Sequence, residues 1–201
     1  KGYVPAAKFR PVVTRGLVNE YLDLLARQQS LSNTFESLNI GLPDSALVQG
    51  PNRVIAPETM RAVVTATRQG RQLRAGYASL SRPEAVESIL EPHTLVCAGN
   101  SWHLRAWCDS NREFRDFALS RFRASPEALR SRAKHTREQD DDWNREVTLV
   151  VTPDQRLTEA QQQIIARDYG MEHGRLEIDT RAALAPYVLS RLGITFDNQH
   201  P

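Results

Sequence analysis

The chain has 201 residues, 40% hydrophobic and 25% charged, with a formal net charge of +2; this is the profile of a globular protein with room for one large or two small cores. No apolar run reaches the roughly 20 residues of a membrane helix, the opening residues have no signal-peptide pattern, and two cysteines, Cys97 and Cys108, make no disulfide framework. The expectation is a cytoplasmic protein with reduced thiols and no membrane partner. A charge of +2 is too small to establish nucleic-acid binding, but basic residues outnumber acidic ones between Arg61 and Arg137. Nearly all of them are arginine, whose planar fork suits phosphate or carboxylate.

Residues 1–13 read as extended and irregular, with Pro5 and Pro11. Thr14–Gln29 reads as a helix, capped by Thr14, with Leu17, Val18, Tyr21, Leu24 and Leu25 as its apolar stripe. Residues 30–52 read as loop, with turn signals at Gly41-Leu42-Pro43-Asp44 and Gly50-Pro51-Asn52 and room for a short strand at Ala46-Leu47-Val48. Pro57–Gln69 is the clearest helix: Pro57 fits its first position, Glu58 suits its positive end, Met60, Val63, Val64 and Thr67 follow its period, and Gly70 stops it. Gln72–Leu80 reads as a strand with Leu73, Ala75, Tyr77 and Ser79 on one face, and Thr94–Ala98 as another, ending in the tight-turn pair Gly99-Asn100.

The centre of the chain reads as a hairpin. Its arms are Trp102–Cys108 and Phe114–Phe122, and its turn is Asp109-Ser110-Asn111. Alternation puts Trp102, Leu104, Ala106 and Cys108 on one face of the first arm and His103, Arg105 and Trp107 on the other; Arg115, Phe117, Leu119 and Arg121 share a face of the second. Short strands joined by turns suggest a small barrel. Beyond it, Ser125-Pro126-Glu127 can open a short helix through Ala133, and Asp140-Asp141-Asp142 reads as solvated. Trp143 begins a second unit with a strand at Val147–Thr152, a helix at Thr158–Tyr169 with Ile164 and Ile165 inside, a strand at Arg175–Ile178 and a helix at Thr180–Leu192.

No phosphate-cradling glycine loop and no nucleophile elbow is present. Cys97 with His93 or His103 lacks an orienting third group. His93, Cys97, His103 and Cys108 match no common zinc spacing, and the Asp140–Asp142 run lacks the glycine and closing glutamate of a calcium loop. No catalytic residue, metal or cofactor is therefore expected. A binding site is expected instead. Arg105, Arg115 and Arg121 can neutralise an anion, Tyr77, Ser79, His93 and His103 can add hydrogen bonds, and Trp102 or Trp107 can stack a base. Plainer roles stand beside these: Trp102 as core, Tyr77 as a buried ring, His93 bonded to backbone, and Arg115 paired with Asp109 or Glu113.

Trp102-His103-Leu104, Arg105-Ala106, Phe114-Arg115-Asp116-Phe117 and Leu119-Ser120-Arg121 together resemble the WYL domain of bacterial transcriptional regulators, with His103 where the family name has tyrosine. The helix leading into Tyr77-Ala78-Ser79 matches how such domains begin. Trp143, Val147-Thr148-Leu149, Gln161, Asp168-Tyr169-Gly170-Met171, Gly174, Arg181-Ala182 and Tyr187 resemble the C-terminal extension of the branch found with anti-phage defence islands.

The resemblance implies an α+β chain: an SH3-like (Sm-like) β-barrel WYL domain at 57–124, a preceding linker and helical segment at 1–56, and a small C-terminal α+β dimerisation domain at 125–201. It also implies a winged helix-turn-helix upstream, so that the start at Lys1-Gly2 reads as a fragment and DNA is met through a domain outside this chain. The expected function is the effector-sensing and dimerising portion of a repressor of phage-defence genes. Its WYL pocket would take an anionic nucleotide or single-stranded nucleic acid. The alternatives are a structural dimerisation module whose basic face only touches nucleic acid, and a phosphoesterase, for which no carboxylate or metal set is present.

Overall fold

The computed structural model describes Pro51, residues 53–99 and residues 101–194. The helix expected at Thr14–Gln29 and the strand at Ala46–Val48 lie outside them. All the elements below belong to the unit Asn52–Pro201.

Pro57 and Gly70 bound the first helix, α1 (Pro57–Gln69), as the sequence indicates. Pro57 occupies its first turn, and Gly70, at φ 58°, turns its N–H back to the Ala66 carbonyl. Its buried face, Thr59, Val63 and Ala66, packs on the sheet. That sheet is antiparallel and has five strands: β1 (Arg71–Tyr77), β2 (Val86–Ala98), β3 (Ser101–Cys108), β4 (Glu113–Ala118) and β5 (Phe122–Arg132), in the order β4-β3-β2-β1-β5. Leu73, Leu90, Leu104 and Ala106 are fully buried in one cluster with Val63 and Ala66 of α1, together with Cys108, Phe117, Leu119 and Phe122.

The expected SH3-like barrel does not form. β4 and β5 are the two edges of the sheet, and no ladder joins them among the described residues. The chain leaves β4 through a 3-10 turn at Leu119–Arg121, so the second hairpin arm ends at Ala118, short of the expected Phe122. The Ala118 N–H then finds the Tyr77 hydroxyl at 3.1 Å in place of a strand carbonyl. The Tyr77 ring lies edge-on to Phe117 and Phe122. A side chain thus fills the position where a closing ladder would run.

Two further expectations change. Thr94–Ala98 is the end of one long strand that runs through Pro92, where the β2–β3 register shifts. Ser125-Pro126-Glu127 is strand, not helix: β5 is an edge, where proline is tolerated. It also bulges there, with Ala124 at φ 55° and Ala124–Pro126 lying across from Ala75.

The rest of the unit is thinner. A 3-10 turn at Arg137–Gln139 precedes α2 (Asp141–Asn144), which Asp140 caps, and Trp143 on α2 is buried. β6 (Glu146–Val151) pairs with β7 (Leu176–Arg181), with α3 (Glu159–Asp168) between them, its start fixed by the Thr158–Gln161 capping box. β7 runs on to Arg181, so the last helix starts later than expected, as a 3-10 turn at Ala182–Leu184 and then α4 (Ala185–Arg191). Between Glu146 and Ile194 no described residue is buried. Ile164, expected inside, is 60% exposed, beside Tyr169 at 52% and Val150 at 54%. No described helix is long and apolar enough to cross a membrane.

Gly76 lets β1 and β5 approach closely. A Cβ there would stand 3.0 Å from the Arg123 carbonyl oxygen on β5. Gly76→Ala therefore pushes β5 from β1, and denaturant unfolding is expected to show a loss of about 1–3 kcal/mol.

Candidate functional site

The sheet separates the predicted site residues into three places. Tyr77, Ser79, Arg115 and Arg121 come together around a cleft of about 470 Å³, formed by the end of β1, the loop after it, the β3–β4 turn and the 3-10 turn. Sequence reasoning missed three kinds of neighbour there: Arg82, the hydroxyls of Ser81, Ser88 and Ser110, and Asp116. The Ser79 hydroxyl accepts the Arg82 N–H at 3.0 Å and lies 3.0 Å from the Ser81 hydroxyl. Ser88 and Ser110 meet across the cleft at 2.7 Å. Arg115 pairs with Glu113 on the surface. Arg121 makes no ion pair among the described residues.

His93 and Arg105 lie elsewhere and are committed. Arg105 is 6% exposed and donates twice to Asp140, from Nε at 2.7 Å and from Nη2 at 2.9 Å. His93 Nε2 reaches the same carboxylate at 3.1 Å, and its ring sits edge-on to Phe114 and Trp143. Asp140 was expected to be solvated and is 1% exposed. The only signal for this in the sequence is its spacing to Trp143, whose N–H it caps at 3.2 Å. Burial works to raise the Asp140 pKa, but the Arg105 hydrogen bonds and charge, with His93 and the Trp143 N–H, hold it below the usual carboxylate range. Burial likewise opposes Arg105, which Asp140 and Asp116 nonetheless hold more firmly charged than usual.

A second buried acid, Glu91, accepts Gln72 Nε2 at 2.7 Å and the Lys134 and His135 backbone N–H groups at 2.9 and 2.7 Å. Burial opposes it too, yet these donors keep its pKa low. It fixes the connector beyond β5, and His135 stacks at 3.9 Å on Trp107, so that this face of Trp107 is occupied and not open to a base. Trp102 is not core: it is 43% exposed and does not line the cleft. Cys108 faces the core, as expected.

His103 stands in a third place, its ring 5.1 Å from Tyr187 of α4. Tyr187 also sits against Asp116 on the wall of the first cleft, and burial, then the Asp116 charge, push its hydroxyl well above the usual phenol range. Burial raises Asp116 itself, against the pull of Arg105.

Residues 58–125 match the WYL domain, and residues 146–201 match the family described as "BrxR transcriptional regulator, C-terminal dimerization domain". The chain is a WYL-domain regulator related to the CapW-type repressors. It is 33% identical over 193 residues to the DNA-binding transcriptional repressor CapW of Stenotrophomonas maltophilia, covering 96% of this chain and 64% of that protein. CapW of Pseudomonas aeruginosa is 32% identical over 196 residues, covering 97% and 65%, and CapW of Escherichia coli 32% over 152 residues, covering 74% and 49%. The chain thus spans from about half to just under two thirds of the length of these relatives. Among solved structures, proteasome accessory factor B/C of Arthrobacter aurescens aligns at a TM-score of 0.41 and 21% identity, over 85% of this chain and 30% of that one. The BrxR family and the curated CapW relatives are named as transcriptional regulators, in agreement with the reading of the sequence as a regulator.

Two outcomes follow from this chemistry. Asp140→Asn leaves Arg105 buried against a neutral partner, and denaturant unfolding is expected to show a loss of about 3–5 kcal/mol. The second concerns pH. Burial is the first cause of depressed imidazole pKa values at His93 and His103. The unfolded chain takes up these protons first as pH falls, so stability drops below about pH 6.5. The lowered carboxyls, Asp140 and Glu91, lose their contribution only at more acid pH, and Asp116, raised by burial, acts in the opposite sense. Thermal melts between about pH 7.5 and 5.5 are expected to show a falling midpoint, with a shallower fall in His103→Gln.

Proposed function

We propose that this chain is the effector-sensing and dimerising portion of a WYL-type transcriptional repressor. Its ligand is an anionic nucleotide or single-stranded nucleic acid, held in the cleft of Tyr77, Ser79, Arg82, Arg115 and Arg121. One observation carries the reading: three arginines and four serine hydroxyls converge on one concavity beside the Tyr77 and Phe117 rings, with Asp116 as its single acid. Arginine forks and hydroxyls suit phosphate oxygens, and the rings suit a sugar or base. His93, Arg105 and Trp107 drop out of the proposed site, because their polar groups or faces are already occupied.

In this reading residues 57–124 form the sensing domain and 125–201 the extension through which two copies join. The unburied Ile164, Tyr169 and Val150 support that second part: a unit with no buried residue between Glu146 and Ile194 gains its core from a second copy. Contact with DNA is part of this reading because the CapW relatives are named DNA-binding transcriptional repressors. The role in phage defence rests on the defence-island motifs, and the expected compartment is the cytoplasm.

Calorimetry with nucleotides and 5′-phosphorylated oligonucleotides tests the cleft. Arg121→Ala is expected to weaken binding about ten- to a hundredfold, the value of one or two hydrogen bonds to a charged group. Arg115→Ala should cost less, since Glu113 competes for it in the free protein. Binding untouched by Arg121→Ala and fading smoothly with salt leaves only a basic nucleic-acid contact face. For the second part, Ile164→Asp is expected to turn a dimer into a monomer in sedimentation velocity with the WYL sheet still folded.

A further inference from the structure

We propose a second anion site, distinct from the cleft above, at the seam between the β2–β3 hairpin and helix α4. It takes a phosphate-class dianion. The seam is a cavity of about 750 Å³ lined by Arg53, Ser101, His103, Tyr187, Ser190 and Arg191, and it shares no lining residue with the first cleft.

Three features of this cavity point to an anion. First, its walls carry two arginines and a histidine and no carboxylate. Arg53 and Arg191 make no ion pair among the described residues. Second, Ser101 is only 9% exposed and its hydroxyl has no hydrogen-bond partner among the described residues; a buried donor left unmade is costly, and a bound oxyanion satisfies it. Third, burial, then the charges of Arg53 and Arg121, disfavour the His103 imidazolium, with Asp116 alone pulling the other way. An anion between His103 and Arg53 relieves that repulsion.

The donor set also limits the ligand. Arginine forks and serine hydroxyls match phosphate oxygens. The one aromatic face present, that of Tyr187, already lies against His103 at 5.1 Å, so no platform remains for a base. The site is therefore for a phosphate group and not for a nucleobase. Its position has a consequence. Ser101 and His103 belong to the sheet, and Ser190 and Arg191 to the C-terminal region. A dianion held by both ties α4 to the sheet beside Asp116, on the wall of the first cleft.

Inorganic pyrophosphate titrated into the chain at constant ionic strength is the test, read by calorimetry and by amide shifts in NMR spectra. Arg53 and Arg191 are both exposed, so Arg53→Ala and Arg191→Ala should fold normally. Saturable binding is expected, weakened about tenfold or more by either substitution and unchanged by Arg121→Ala, with shifts at Ser101, His103 and residues 187–191. If the first cleft also binds pyrophosphate, Arg121→Ala removes one component of the isotherm and Arg191→Ala the other. Loss in Arg121→Ala alone overturns the second site and leaves the first. No saturable binding, or equal losses in all three variants that track salt, also overturns it; the first cleft then stands or falls on its own nucleotide titration.

Discussion

The buried pair of Arg105 and Asp140 is the joint on which the arrangement depends. Arg105 lies on β3 between Leu104 and Ala106, both fully buried. Three consecutive buried residues on a strand mean that both faces of the sheet are covered there. On one face Leu104 and Ala106 join the core cluster that includes Val63 and Ala66 of α1. The connector carrying Asp140 and Trp143 covers the other, with His93 and Phe114 packed edge-on around it. Desolvating two charges is expensive unless the geometry is good and the remaining lone pairs are used. Here the guanidinium binds in bidentate fashion, and His93 and the Trp143 N–H take further positions on the carboxylate. The pair gives the connector one address on the sheet. From that address the carbonyl of Trp143 meets Arg181, the carbonyl of Arg145 meets the Ala182 N–H, and α4 is set down beside His103.

This joint also sorts the arginines. A charge spent on a buried acid cannot serve a ligand. Arg105 is spent on Asp140, Arg115 is half-engaged by Glu113, and Arg121 is open. The ordering follows from burial and partners, not from position in a motif. Asp116 stands between the two groups: it lines the basic cleft, and it lies 3.6 Å from the Arg105 guanidinium and against Tyr187. In the proposed function, an anion arriving in the cleft would meet a carboxyl that already touches the buried joint and the C-terminal helix.

What the sequence reveals divides along the same line. α1 was legible to the residue because local signals at Pro57 and Gly70 fix its ends. The capping box at Thr158–Gln161 did the same for the start of α3. Alternation grouped Leu104, Ala106 and Cys108 on one face without saying which face points inward; it is the core face, except at Trp102, which sits where β3 begins and is 43% exposed. The failures are tertiary. Pro126 looked like a helix start because pairing with β1 leaves no local trace, and Asp140 looked solvated because its partner is 35 residues away. The barrel was expected from the run of short strands, whereas closure depends on whether β4 and β5 meet, and the Tyr77 hydroxyl takes the place of that ladder. The candidate site was half legible. Tyr77, Ser79, Arg115 and Arg121 do converge, while His93, Arg105 and His103 are drawn off by acids and a helix that come later in the chain.

The thin C-terminal region gives the asymmetry a purpose. A two-stranded sheet is marginal by itself, and β6–β7 with α3 buries none of its residues fully. Its firm attachments to the rest of the unit are few and polar: Trp143, Arg181 and the turn at Ala182–Leu184. Such an element has a low local stability and responds to small changes at its attachments. The basic clefts end on other residues, Asp116 for the first and Tyr187 and Arg191 for the second, and Tyr187 touches Asp116. A ligand shifts an equilibrium only by its difference in affinity between two states. In the proposed function, the Tyr187 contact, which joins α4 to His103 on the sheet and to Asp116 on the wall of the cleft, is the place where a bound ligand would bear on the C-terminal extension.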